Sequence, residues 1–170
     1  LIAHQPLSHD AIANFDVAML IAGSRGFTDY DQFVQTLEEE ILYEHPKDSI
    51  IFITGAAKSG PDDMIIRWCR ENGYAWTEFP ADWDDISVPG SFVKKNRFGK
   101  LYNAAAGHQR NRLMAEVMTH ACIWWDGKSP GTENMIREAE RVGITPRVFI
   151  VNGERKRDTR YDDVRQAQGS

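Results

Sequence analysis

Five short apolar runs punctuate the chain, and each closes on a glycine or a polar turn. Val17–Ala22, Ile50–Thr54, Tyr74–Phe79, Ala121–Trp125 and Arg147–Val151 are too short for helices and are rich in β-branched and aromatic residues. Most of them are apolar at successive positions, the pattern of a strand covered on both faces. Between the runs the spacing changes to that of helices. Phe33, Leu37, Ile41 and Leu42 follow Thr28 and Asp29, which stand where a cap is wanted. Met64, Ile65, Trp68 and Cys69 make a stripe that Pro61 opens and Asn72-Gly73 closes. Leu113, Met114, Val117 and Met118 predict a helix from about Gln109, and Met135, Ile136, Ala139 and Val142 predict another opened by Gly131-Thr132. Trp124 and Trp125 are adjacent on a strand, so they face opposite sides.

The order is βαβαβ, a long connection, then αβαβ. This alternation predicts an α/β fold, a Rossmann-like doubly wound parallel sheet of five or more strands with order 3-2-1-4-5. Residues 1–15 read as an N-terminal arm, 16–151 as the domain, and 152–170 as a polar C-terminal tail. Residues 80–104 contain Pro80, Pro89, Gly90 and Gly99 and show no firm period. They read as a long loop of the kind that carries function.

Composition narrows the classes. At 170 residues, 42% hydrophobic and 26% charged, the chain is one ordinary globular domain. A net charge of -5 argues against a protein that coats nucleic acid without specificity, so a nucleic-acid partner is not expected. The positive charge is nevertheless clustered. Six of the 20 basic residues lie in 92–112 (Lys94, Lys95, Arg97, Lys100, Arg110 and Arg112), a stretch with no acidic residue. Cys69 and Cys122 both lie in apolar segments, which disfavours a disulfide and suits a reducing compartment. No run is long enough to span a bilayer and no charged-then-apolar leader is visible, so a cytoplasmic protein is expected. The five histidines lack metal-ligand spacing, and neither a metal nor a cofactor is expected.

The candidate chemistry sits where strands run into helices. Gly23-Ser24-Arg25-Gly26-Phe27, Gly55-Ala56-Ala57-Lys58-Ser59-Gly60 and Asp126-Gly127-Lys128-Ser129-Pro130-Gly131-Thr132 each combine small residues, a hydroxyl and a cation. In an open parallel sheet such loops meet outside the carboxyl ends of the strands, where helix N-termini aim N–H groups at anions. Neither the G-x-G-x-x-G nor the G-x-x-x-x-G-K-[ST] pattern is present. Any one loop has a purely steric reading, but three at one edge describe a phosphate or nucleotide site.

The five segments 23–27, 54–62, Phe79-Pro80-Ala81-Asp82-Trp83, Ala106–Met114 and Trp125–Ile136 resemble, in order, the motifs of the SLOG superfamily, and among its branches the YspA-type, YpsA-related group. The resemblance implies a nucleotide-binding Rossmann-like domain, related to lonely-guy phosphoribohydrolases and DprA-type DNA-processing proteins, and a homodimer. It implies ligand contacts at Gly23, Ser24, Arg25, Gly55, Ala56, Lys58, Asp62, Asp82, Trp83, Arg110, Asn111, Gly127, Ser129, Gly131 and Thr132. In the hydrolases, an Arg in an R-K-x-x-M segment and a Glu in a P-G-G-x-G-T-x-x-E segment act in catalysis. Here Arg110 matches the first, with Asn111 in place of Lys. Met135 stands at the Glu position, and Glu133 is offset by about 200° of helix. Ala56 also replaces a common second glycine. The expected function is binding of a nucleotide or nucleotide-derived phosphate ligand, as sensor, carrier or sequestering protein. The alternative is an N-glycosidic nucleotide hydrolase using Arg110, Glu133 and Asp126, and a second alternative is a single-stranded DNA-handling protein. Trp83 reads either as a base-stacking ring or as a lid, Asp126 as a ribose contact or a turn-former, and His108 as a phosphate contact or a helix-start polar residue.

Overall fold

A computed structural model describes residues 5–151, so the expected tail at 152–170 and the first four residues lie outside it. Strands β1 (Val17–Gly23), β2 (Ile50–Thr54), β3 (Ala75–Glu78), β6 (His120–Trp125) and β7 (Arg147–Ile150) form one parallel sheet in the order β3-β2-β1-β6-β7. The expected order 3-2-1-4-5 is borne out, with β6 and β7 as the fourth and fifth strands of the sheet. The intervening β4 (Val93–Lys95) and β5 (Leu101–Asn103) pair antiparallel in a separate hairpin.

Alternation within the strands makes two cores. Ala18, Leu20, Ile51, Ile53, Ile123 and Trp125 face helices α1 (His9–Ala13), α4 (Ala106–Val117) and α5 (Pro130–Arg141). Val17, Met19, Ile21, Phe52, Cys122 and Trp124 face α2 (Tyr30–Glu40) and α3 (Pro61–Asn72). Both tryptophans are therefore core residues on opposite faces. Asp29 caps α2 by accepting the Gln32 N–H at 3.0 Å, and Gly73 closes α3 in the left-handed region at φ 69°. Both cysteines are free and buried, and burial pushes each thiol up to about 12. No helix among the described residues is long and apolar enough to cross a membrane.

Three local expectations need revision. The arm contains helix α1, capped by Ser8 and seated by the buried Ile12. Helix α4 starts at Ala106 rather than near Gln109, because its first turn is built of small residues that give no apolar period. The connection over 80–104 is not structureless. It holds the β4–β5 hairpin, whose three-residue strands are too short to show a period.

Hairpin order comes from one side chain. Asn103 is fully buried; its Oδ1 accepts the Phe92 and Ala105 N–H groups at 3.1 and 3.0 Å, and its Nδ2 donates to Gln109 Oε1 at 2.7 Å. Its own N–H donates to the Trp83 carbonyl at 2.7 Å. A buried polar group must be satisfied, and here satisfying it fastens the hairpin to α4 and to the Trp83 segment.

Candidate ligand cavity at the sheet edge

The loops after β1, β2 and β6 meet at the carboxyl edge of the sheet, on either side of the point where the strand order reverses. The Ser24 Oγ accepts the Asp126 N–H at 3.0 Å and the Ser24 N–H donates to the Trp124 carbonyl at 2.9 Å, which ties the first loop to the third. Between these loops and the first turns of α4 lies a cavity of about 420 Å³. That is enough for a small metabolite. Of the residues expected to contact a ligand, it is lined by Gly23, Arg25, Asp62, Trp83, Arg110, Asn111, Ser129, Gly131 and Thr132. Ser24, Gly55, Ala56 and Gly127 shape the loops behind it. Lys58 and Asp82 are exposed and do not line it.

Arg110 is held from three directions. Its Nη1 donates to the Gly55 carbonyl at 2.5 Å and to the Phe79 carbonyl at 3.4 Å, and its Nε to Asn111 Oδ1 at 3.0 Å. The guanidinium lies so close over Gly55 that a Cβ there would collide with Nη1. Glycine at 55 is thus required by a close approach. The anchors are the carbonyls of the residues that directly follow β2 and β3, so Arg110 reaches the cavity within its own chain, without a second copy. Asn111 turns its Nδ2 to the Gly131 carbonyl at 3.2 Å and Asn134 Oδ1 at 2.9 Å, locking α4 to α5.

Asp62 is buried beside Arg110 and accepts the Ala57 N–H on Oδ2 at 3.2 Å. Burial pushes its carboxyl up to about 6, although Arg110, the Ala57 N–H and Arg25 all favour the carboxylate. The same burial holds Arg110 below its usual range, with Asp62 opposing. Ala56, between these groups, has φ 55°, a left-handed conformation that an alanine adopts at a cost.

The third loop is organised by Asp126. Its Oδ1 accepts the Lys128 and Ser129 N–H groups at 2.8 and 2.7 Å, and its Oδ2 accepts the Ser129 hydroxyl at 2.7 Å. Partial burial raises its pKa, but these bonds together outweigh it and hold the carboxyl below the usual aspartate value. Because Ser129 gives its hydroxyl to Asp126, it makes no side-chain cap to α5. Pro130 brings no N–H, so the first-turn N–H groups of Gly131 and Thr132 face the cavity edge without a capping side chain. Helices α3 and α4, whose first turns also line the cavity, lack side-chain caps too, whereas α1 and α2 are capped. The Thr132 side chain is buried to 7% exposure and lines the cavity.

Glu133 does not line the cavity. It pairs with Arg137 at 2.9 Å on the outer face of α5. Met135 does line it, together with Met114, and forms an apolar floor. The ring of Trp83 crosses the start of α4, 3.3 Å from where a Cβ of Gly107 would stand. Ala57, Ala104 and Gly107 line the cavity although none was expected to. The run of small residues at 104–107, three positions ahead of Arg110, was the available signal for the last two. His108 is also on the lining.

Residues 17–85 match the model of the YspA, cpYpsA-related SLOG family. The Gene 61 protein of Mycobacterium phage D29 is 29% identical over 132 residues, covering 74% of this chain and 90% of that one. The X-ray structure of DNA processing protein A (DprA) from Streptococcus pneumoniae superposes with a TM-score of 0.53 at 18% identity. That match covers 92% of this chain and 56% of the DprA chain, so this protein spans little more than half of DprA. At that identity the likeness establishes the shared fold. Over residues 17–85 the chain is thus similar to the YspA, cpYpsA-related SLOG family, and its parallel sheet with glycine-bearing loops is the fold that it shares with DprA.

Proposed function

We propose that the cavity binds a nucleotide or nucleotide-derived phosphate ligand, and that the protein acts as a sensor, carrier or sequestering protein for it. The observation that carries this reading is the uncapped start of α5. A helix N-terminus whose own cap residue is bonded elsewhere presents N–H donors and a positive dipole end to an anion. Thr132 adds a hydroxyl and Arg110 a fixed charge from the opposite wall. The phosphate sits on Gly131 and Thr132, and Arg110 neutralises it through Nη2, while Nε and Nη1 keep their protein partners. The remainder of the ligand lies over Met114 and Met135 toward Trp83, an apolar surface suited to a base.

The test is calorimetric titration with a panel of nucleoside monophosphates, preceded by mass spectrometry of any ligand carried through purification. Binding is expected to weaken about tenfold or more in Arg110→Ala, in line with the loss of a charge-assisted bond. Thr132→Val should weaken it by a smaller factor. Absence of binding across the panel and of any copurified phosphate compound overturns the reading.

A second reading, hydrolysis of the N-glycosidic bond, draws on one observation. A carboxyl pushed up to about 6 lines the cavity, and it is Asp62 rather than the expected Glu133 or Asp126. A group protonated near neutrality suits a general acid for a departing base. Release of free base on incubation, lost in Asp62→Asn, distinguishes this enzyme from a binder that returns its nucleotide intact.

A further inference from the structure

The hairpin carries apolar surface that the fold does not need. Phe98 is 79% exposed at its tip and Phe92 is 59% exposed at its foot, with Val93 and Leu101 also open to solvent. Lys94, Lys95, Arg97 and Lys100 are interleaved with them, and of these four cations only Lys100 has an ion-pair partner, Asp84, among the described residues.

The arrangement is ordered. Successive strand residues point to opposite faces, so Phe92 and Lys94 share a face, and the register Lys94↔Tyr102 places Tyr102 beside them. The Lys94 ammonium stands 5.1 Å from the Phe92 ring centroid, and the Arg97 guanidinium 4.8 Å from that of Phe98. The tip is a closed turn. Asn96 Oδ1 accepts the Phe98 and Lys100 N–H groups at 2.9 and 3.0 Å, and Gly99 supplies φ 79°. The base is fixed by Asn103, as described above. A ribbon rigid at both ends, with rings and cations alternating along it, is a preorganised surface.

We infer that the β4–β5 hairpin is a binding platform for a single-stranded polynucleotide, its phosphates met by Lys94, Lys95 and Arg97 and its bases stacked on Phe92 and Phe98. Charge complementarity selects this occupant: the hairpin is wholly basic in a chain of net charge -5, so an anionic partner is drawn to this element and repelled by the rest. Rings beside unpaired cations suit bases linked by phosphates better than a purely anionic surface. The site is separate from the cavity contacts at Gly131, Thr132 and Arg110.

The test is fluorescence anisotropy of the full chain with labelled oligothymidylate and oligouridylate of about 16 nucleotides, the length of a large single-strand site. The two probes decide between DNA and RNA as the source of the strand. Phe92→Ala and Phe98→Ala should each weaken binding about tenfold, the usual effect of removing a stacking ring. Lys94→Ala with Lys95→Ala should also flatten the dependence of affinity on salt. All four side chains are exposed, and unchanged circular dichroism and melting confirm folded variants. Oligonucleotide affinity that is absent, or unchanged in the ring variants, overturns the inference. So does a concentration-dependent dimer abolished by Phe98→Ala without any oligonucleotide binding, which would make the hairpin a contact between copies. Titration with mononucleotides reads the cavity separately: Phe98→Ala leaves it unchanged, and Arg110→Ala does not remove the stacking contribution.

Discussion

Asp126 Oδ2 accepts a hydrogen bond from the Ser129 hydroxyl at 2.7 Å, and that one bond leaves helix α5 without a side-chain cap. The two residues are three apart, the spacing at which a serine chooses between capping its helix and bonding a nearby turn. Here the turn wins, because the same carboxylate also receives two backbone N–H groups.

Removing Asp126 is therefore expected to release Ser129 to cap α5. Asp126→Ala should weaken binding of a phosphate compound severalfold, even if Asp126 never touches it, because the first-turn N–H groups acquire an internal acceptor. The double variant Asp126→Ala/Ser129→Ala removes that competitor. Calorimetry should show it binding more tightly than Asp126→Ala alone; equal or weaker affinity would refute competition by Ser129.

Asp62 predicts a pH dependence of stability. Its pKa rises on folding from the ordinary 3.8 to about 6, so the folded state holds the proton more tightly than the unfolded chain. Stability from this group is complete below about pH 4 and falls as pH rises toward 6. Asp62→Asn should abolish that fall. Its stability relative to the parent should improve by about 2 kcal/mol between pH 4 and pH 7. Urea unfolding at the two pH values measures it, and an equal difference at both would show that the carboxyl is not raised.

Two neighbouring positions should respond oppositely to glycine and alanine. Ala56→Gly relieves a left-handed alanine and should stabilise the protein by roughly 0.5–1 kcal/mol. Gly60 has φ 77°, and a Cβ there would lie 2.7 Å from the Ser24 carbonyl oxygen. Gly60→Ala should destabilise by about 2 kcal/mol or more, because strain and collision add. Thermal melts of the pair are a direct check.

Asn103 should govern the order of the hairpin. Asn103→Leu removes the acceptor of two backbone N–H groups and the partner of Gln109, at a cost of about 2–4 kcal/mol. Hydrogen exchange should accelerate at Phe92 and Ala105 while the amides of β1 and β6 stay protected. Uniform loss of protection would mean that the hairpin and the sheet unfold together.

The sheet was legible in the sequence because its strands are nearly continuous apolar runs, as in Ile50–Thr54, and because Pro61, Gly73 and Asp29 each carry one strong local preference. The hairpin was not, since Val93–Lys95 and Leu101–Asn103 are too short for a period and depend on the burial of Asn103. At the site, motif spacing placed Arg110, Asp62, Gly131 and Thr132 at one edge. It could not separate Lys58, which points to solvent, from Ala57, whose N–H meets Asp62, because that depends on the left-handed turn at Ala56. Nor could it foresee that Glu133 would pair with Arg137, since helical position relative to the cavity is fixed only once α5 is packed.

The guanidinium of Arg110 bonds carbonyls 55 and 31 positions earlier in the chain. During synthesis, then, the first three strands of the sheet and their glycine turns emerge before the side chain that joins them to the second half. A fragment ending at residue 85 contains the whole segment similar to the SLOG family but neither Arg110 nor α5. Supplying the remainder as a separate polypeptide should restore the missing wall, making the two halves a natural pair for split-protein reconstitution.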